Sequence, residues 1–247
     1  MIKKQLLAVF SLFIIISCSS NDDDTEYITH LDGDLEIRSL KDLKDPTIKG
    51  YTTINGNLII NYTDKVEDLS ALENLEIING GILIRHNDNL KSLQGLENIT
   101  KLDFLEIEYN LELTSLNGLD NLTNISNSLT IAENRKLENL NSLNSLTDIG
   151  VQFFLSNNNL LNNLNGLENL KKIPQIIILN NLNLISISGL EGISSSADIS
   201  ILSNDSLTNF CSLVQFVQAN SQTIKFSTGF NSYNPSIDDL IKNNCSN

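Results

Sequence analysis

Hydrophobic residues recur along the chain with a period of 23–24 residues. Leucine-like anchors show the period most clearly: Leu69, Leu93, Leu116, Leu140, Leu164, Ile187 and Phe210. Further apolar residues stand eleven and nine positions before every anchor, and also three positions before and after it. A period of this length predicts a solenoid, because each unit can bury its apolar side only against its neighbours.

The local spacing within each repeat predicts its secondary structure. The apolar positions eleven and nine before the anchor differ by two, which is the period of a strand, so both side chains point inward. After the anchor the apolar spacing is three, as in a tight turn or a one-turn helix. Glycines stand two positions after four anchors, at Gly95, Gly118, Gly166 and Gly189, and predict turns with a positive φ.

An asparagine stands six positions before six of the seven anchors, and only the first repeat differs, with Thr63. These residues are Asn87, Asn110, Asn134, Asn158, Asn181 and Asn204. A side-chain amide both donates and accepts hydrogen bonds, so it can satisfy backbone groups where the chain leaves the strand. Amides stacked in register can also bond to one another. The pattern predicts a structural asparagine ladder, and the alternative is a row of ligand-binding amides.

The repeat L-x-I-x-x-N-x-x-L-x-x-L-x-G-L-x-N-L-x-x-I resembles the receptor L-domain family, a relative of the leucine-rich repeats. The segments Gly56-Asn57-Leu58-Ile59-Ile60 and Gly80-Gly81-Ile82-Leu83-Ile84 carry the likeness best, within a match over about residues 33–213. The resemblance implies a β-rich, right-handed superhelix of about seven coils, with parallel strands and short helical turns, capped at both ends. It also implies ligand binding through the surface, without shared catalytic residues.

The N-terminus has the pattern of a secretory signal peptide. Lys3 and Lys4 precede an apolar run of 11 residues, Leu6–Ile16, which is short of the roughly 20 needed to span a bilayer. The following Ser17-Cys18 completes a segment that resembles the lipobox of bacterial lipoproteins, which implies lipidation of Cys18. The alternative is an ordinary signal peptide with a chance cysteine.

An acidic run, Asp22–Asp24, follows that cysteine and is similar to the surface-export signal of Bacteroidota lipoproteins. Its alternative is a solvated tether. We therefore expect a lipid-anchored protein of the bacterial outer membrane, exposed on the cell surface. The predicted organisation is a signal peptide over 1–17, a lipidated tether over 18–30, an N-terminal cap over 31–55, the solenoid over 56–213 and a C-terminal cap over 214–247.

The net charge and the cysteine content limit which ligands, cofactors and cross-links the sequence predicts. The net charge of −14 argues against binding nucleic acid or anionic lipid through a basic patch. The sequence has no glycine-rich phosphate loop and no His or Cys spacing suited to a metal, so we predict neither a cofactor nor a metal. Cys211 and Cys245 are expected to form a disulfide, since thiols beyond the inner membrane tend to oxidise, and free buried thiols are the alternative.

Residues between and just after the inward strand positions form columns on the outer face of the predicted sheet. The candidate binding face comprises Arg85, Glu106, Glu108, Tyr109, Phe154, Ile177, Leu179 and Leu202. Contiguous exposed apolar surface commonly marks an interaction site, although strands favour apolar and aromatic residues in any case.

Three hypotheses of function follow from these features. The first is a non-catalytic surface lipoprotein that binds a protein or a glycan in adhesion or recognition. The second is a structural protein of the cell envelope that self-associates through its outer face. The third is a polysaccharide-acting β-helix enzyme in which Glu106 and Glu108 would supply paired carboxylates.

Overall fold

The computed structural model describes residues 29–247, and this part of the chain is dominated by short parallel strands. The predicted signal peptide, the predicted lipidation site Cys18 and most of the predicted acidic tether lie outside the described residues. The strands are β1 His30–Leu31, β2 Leu35–Ile37, β3 Thr53–Ile54, β4 Leu58–Asn61, β5 Ile77–Ile78, β6 Ile82–Arg85, β7 Lys101–Leu102, β8 Leu105–Glu108, β9 Asn124–Ile125, β10 Ser128–Ala132, β11 Asp148–Ile149, β12 Gln152–Ser156, β13 Gln175–Leu179, β14 Asp198–Leu202 and β15 Lys225–Gly229. The α-helices are α1 Leu40–Leu43, α2 Val214–Asn220 and α3 Ile237–Ile241.

A nine-stranded parallel sheet has the order β15-β14-β13-β12-β10-β8-β6-β4-β2. Two three-stranded parallel sheets, β1-β3-β5 and β11-β9-β7, are built from the short strands. Equivalent positions of successive repeats pair, so that Leu129 faces Phe153 and Ile131 faces Leu155. The prediction of a β-rich chain with parallel strands in the register of the repeat is confirmed, and the arrangement is consistent with a solenoid.

The core follows from the alternation within each strand. In β6, for example, Ile82 and Ile84 are fully buried, while Leu83 and Arg85 between and after them are partly exposed. The anchors are buried too, and one continuous hydrophobic cluster runs from Leu35 to Leu240. Each repeat therefore buries its apolar side chains against its neighbours.

The six asparagines form a buried hydrogen-bonded row. The Nδ2 of Asn110, for instance, donates to Asn134 Oδ1 at 3.0 Å and to the carbonyl of Ile84 at 3.1 Å, while its backbone N–H donates to the same Oδ1 at 3.2 Å. Thr63 begins the row by donating to Asn87, and Asn231 extends it beyond Asn204. Since the asparagine side chains are fully buried, they hold the frame together and do not reach a ligand.

The turns after the anchors take two forms. The four predicted glycines have φ values between +106° and +112°. In all four, the glycine N–H donates to the carboxylate two residues on, as Gly189 does to Glu191 at 2.7 Å. Where Ala71 or Ser142 replaces glycine, the chain forms a 3-10 helix instead. The turn with a positive φ therefore occurs with glycine at this position, and the 3-10 form occurs with alanine or serine.

The C-terminal segment packs against the last repeats. Strand β15 joins β14 as the terminal strand of the large sheet, and the predicted disulfide between Cys211 and Cys245 is present. Helix α3 begins with a capping box between Ser236 and Asp239. Hydrogen bonds from the Ser236 hydroxyl and backbone N–H lower the pKa of the Asp239 carboxyl.

Candidate functional site

The outer face of the nine-stranded sheet carries seven of the eight predicted binding residues, in two groups, and the eighth, Tyr109, lies just after β8. Arg85, Glu106 and Glu108 lie on the neighbouring strands β6 and β8, with Arg85 facing Glu108 across the pair. The apolar residues lie two to four strands beyond β8 in the sheet, on β12, β13 and β14. Strand β10, with Thr130 on this face, separates the two groups.

In the first group, one guanidinium binds two carboxylates. Arg85 pairs with Glu106, and its Nε lies 3.3 Å from Glu108 Oε2 without the alignment of a hydrogen bond. The three side chains are partly exposed. Because Arg85 engages both carboxylates, this cluster is an ion-pair network open to solvent on the sheet face.

Immediately after the strands comes a column of residues with left-handed backbone. All have φ between +54° and +58°: Tyr62, His86, Tyr109, Glu133, Asn157, Asn180, Ser203 and Phe230. None is a glycine, and each such conformation costs about 1–2 kcal/mol. The repeated turn from the strand into the asparagine ladder imposes this conformation, so the side chains of the column project from one corner of the sheet.

The first three side chains of that column form an aromatic stack. The rings of Tyr62 and His86 are nearly parallel, with an angle of 6° and centroids 4.8 Å apart. His86 and Tyr109 follow at 7° and 4.7 Å. Of these three, only Tyr109 was among the predicted site residues. A sequence signal existed for the other two, because the three aromatic residues occupy the same position of consecutive repeats.

The second group is an apolar cluster. Phe154 faces Ile177 across the pair β12–β13, and Leu179 faces Leu202 across β13–β14. All four are partly exposed, unlike the inward residues of the same strands. Three more leucine or isoleucine side chains, Leu160, Leu182 and Ile185, are exposed on the segments that follow β12 and β13. The later repeats therefore carry apolar side chains on the sheet and beyond it.

Within residues 29–247 no group of three or more His, Cys, Asp or Glu side chains is arranged to hold a metal ion. No helix in the same part of the chain is long and apolar enough to cross a membrane. A pocket of about 530 Å³ lies beside β15 and is lined by residues 226–228 and 234–238.

Comparison with known families agrees with the repeat. Residues 52–104 match the receptor L domain family. This segment includes β4 and β6 together with Tyr62, Arg85 and His86. A comparison with curated proteins finds no match for the chain.

Proposed function

We propose that this chain is a non-catalytic recognition module that binds a protein or glycan through the outer face of its nine-stranded sheet. In this proposal the strands belong to a right-handed superhelix of about seven coils with capped ends. The observation that carries the proposal is the apolar cluster of Phe154, Ile177, Leu179 and Leu202. Four apolar side chains in register, partly open to solvent, favour burial against a partner.

The match of residues 52–104 supports the same function, because a receptor L domain is a ligand-binding module. The ion pairs of Arg85 support binding over catalysis, since Glu106 and Glu108 both engage one guanidinium. Turnover of a polysaccharide that disappears on Glu106→Gln with Glu108→Gln would contradict the non-catalytic proposal.

Replacing Phe154 and Leu179 by aspartate is expected to lower the affinity for the partner at least about tenfold, equivalent to about 1.4 kcal/mol. The reason is that both carboxylates would have to lose water on docking. Biolayer interferometry against a panel of purified extracellular proteins and glycans measures this loss.

The matched control replaces Ile77 and Val151 by aspartate. Both are exposed and lie outside the strands of the large sheet, so the same chemical change there should leave binding unaltered. If the variant with aspartate at Phe154 and Leu179 binds the partner as tightly as the parent protein, the apolar cluster is not part of the binding site. Concentration-dependent dimerisation that the same variant abolishes would instead favour the self-associating envelope protein.

Lipid anchoring at Cys18 is the second part of the proposal, and it rests on the lipobox-like segment before that cysteine. Thioether-linked lipid with an additional acyl chain gives the two hydrophobic anchors that stable attachment requires.

Cys18→Ala is expected to move the protein from the membrane fraction to the soluble fraction and to remove the mass of the lipid from the intact protein. Ser19→Ala is the control, and an unlipidated parent protein would contradict the anchor. Protease access on intact cells then tests display at the cell surface.

A further inference from the structure

Strand β15 ends the nine-stranded sheet, and among residues 29–247 no further strand pairs with its outer edge. The hydrogen bonds to β14 show which backbone groups lie on that edge. The N–H of Lys225 donates to the carbonyl of Ala197 at 2.9 Å, so Lys225 and every second residue after it bond to β14. The residues between them, Phe226 and Thr228, therefore direct their N–H and C=O groups away from the sheet.

These outward backbone groups are open. No hydrogen bond among the described residues involves the backbone N–H or C=O of Phe226 or Thr228. At the opposite edge of the sheet, β2 has three residues, and only Glu36 presents its backbone to the open side. Proteins commonly shorten or cover their edge strands, whereas β15 has five residues, with Lys225 and Ser227 exposed. Strand β15 is therefore the longer open edge of this sheet.

The inward side chains of β15 are incompletely covered as well. Phe226 and Thr228 align with Ile199 and Ile201 of β14, which are fully buried, but are themselves only partly buried. The pocket of about 530 Å³ lies beside these two side chains, with residues 234–238 as its other wall. Apolar side chains of an added strand would fill this pocket and cover the end of the core, which the hydrophobic effect favours.

A column of side chains at the start of the last strands indicates the residue that an added strand needs there. Gln152 donates to Gln175 at 2.6 Å, and Gln175 donates to Asp198 at 3.5 Å, so side chains in this column interact from strand to strand. Lys225 is the last member, and no ion pair among the described residues includes it. An acidic residue in the next strand would stand beside Lys225 and complement its charge.

We propose that β15 binds an extended segment of a partner protein as a parallel tenth strand of the sheet. The segment has an acidic residue beside Lys225 and then apolar residues at alternate positions, beside Phe226 and Thr228. Its backbone bonds to the open N–H and C=O groups of these two residues, and its apolar side chains fill the pocket. Strand β14 has the same pattern in Asp198-Ile199-Ser200-Ile201 and already pairs with the other side of β15.

A partner segment fits this edge better than strand β2 of a second copy does. Because β2 presents only Glu36, it would leave part of the open backbone of β15 without a partner. Its acidic residue in the matching position, Asp34, already accepts from the backbone N–H and Nδ2 of Asn57. Its apolar residues, Leu35 and Ile37, are buried in their own core and do not reach the pocket of another copy.

The probe is a synthetic peptide with the sequence of residues 196–203, Ser-Ala-Asp-Ile-Ser-Ile-Leu-Ser. We expect saturable binding to the purified, ¹⁵N-labelled protein, measured by NMR. Saturating peptide should slow the exchange of the Phe226 and Thr228 amide protons with D₂O at least about tenfold, because both become hydrogen-bonded. The Ser227 amide already bonds to β14, so its exchange should change little. A contact through side chains alone would not produce this alternation.

Lys225→Glu is expected to weaken binding of this peptide at least about fivefold, because it places a carboxylate beside the aspartate of the peptide. The same peptide with lysine in place of that aspartate should show the reverse preference and bind the variant more tightly than the parent protein. Lys44→Glu is the matched control. Lys44 is an exposed lysine after α1, at the other end of the sheet, so its replacement should leave both affinities unchanged.

The proposal is overturned if the peptide does not bind, if it binds without protecting the Phe226 and Thr228 amides, or if Lys44→Glu weakens binding as much as Lys225→Glu. Self-association of the protein that Lys225→Glu abolishes would also overturn it, and would assign the edge to a second copy. The outer-face variant with Phe154→Asp and Leu179→Asp should bind the peptide like the parent protein, because the two sites share no residue. Failure of either proposal therefore leaves the other intact.

Discussion

Replacing Asn134 by leucine is expected to lower the free energy of unfolding by about 3–5 kcal/mol. Asn134 is fully buried, and its Nδ2 donates to the carbonyls of Ile107 at 2.8 Å and Ala132 at 3.1 Å. Its Oδ1 accepts from both the backbone N–H and the Nδ2 of Asn110. Leucine has a similar volume but removes every one of these partners, and each buried polar group left without a partner costs about 1–3 kcal/mol.

Urea unfolding followed by circular dichroism measures the change, with Asn121→Ala as the control. Asn121 also donates its Nδ2 to a carbonyl of the preceding repeat, that of Glu97 at 2.8 Å, but it is exposed. Water replaces that hydrogen bond, so we expect a loss of at most about 1 kcal/mol. An Asn134→Leu variant that unfolds at the urea concentration of the control would show that the asparagine row is dispensable to stability.

The frame of the fold could be read from the sequence because it rests on repeated, short-range constraints. Each apolar position occurs in seven repeats. Aligning the repeats therefore predicts the inward-facing residues, the register of the strands and the turn glycines. The disulfide could be predicted because Cys211 and Cys245 are both expected beyond the inner membrane, where thiols tend to oxidise. Asn231 was missed because it stands 27 residues after Asn204, outside the period. Its signal was local: Phe226 and Asn231 keep the five-residue spacing of Ile199 and Asn204.

The candidate site was less predictable, because it depends on how side chains meet across strands. The columns placed Arg85, Glu106 and Glu108 on one face, but the sequence alone did not show that one guanidinium would bind both carboxylates. The stack of Tyr62 on His86 depends on a left-handed backbone at non-glycine residues. Residue type rarely predicts that conformation, since it is set by the turn into the asparagine row.

Gly118→Ala is expected to lower the free energy of unfolding by about 2–5 kcal/mol, the second large effect that the structure predicts. Gly118 has a φ of +112°, and a Cβ atom there would lie 2.1 Å from the carbonyl oxygen of Leu93 in the preceding repeat. The unfavourable backbone conformation accounts for about 1–2 kcal/mol, and overpacking against a neighbouring backbone adds about 1–3 kcal/mol.

Gly33→Ala separates these two contributions in the same urea experiment. Gly33 has a similar φ of +99°, but nothing lies within 4 Å of the position of its Cβ, so only the backbone cost of about 1–2 kcal/mol is expected. Ser142 shows how the larger loss could be avoided, because at the equivalent position of the next repeat the chain forms a 3-10 helix. If Gly118→Ala costs no more than Gly33→Ala, the turn has switched to that second form. That result would mean that the residue type at position 118 determines the form of the turn. Packing against the preceding repeat would then not determine it.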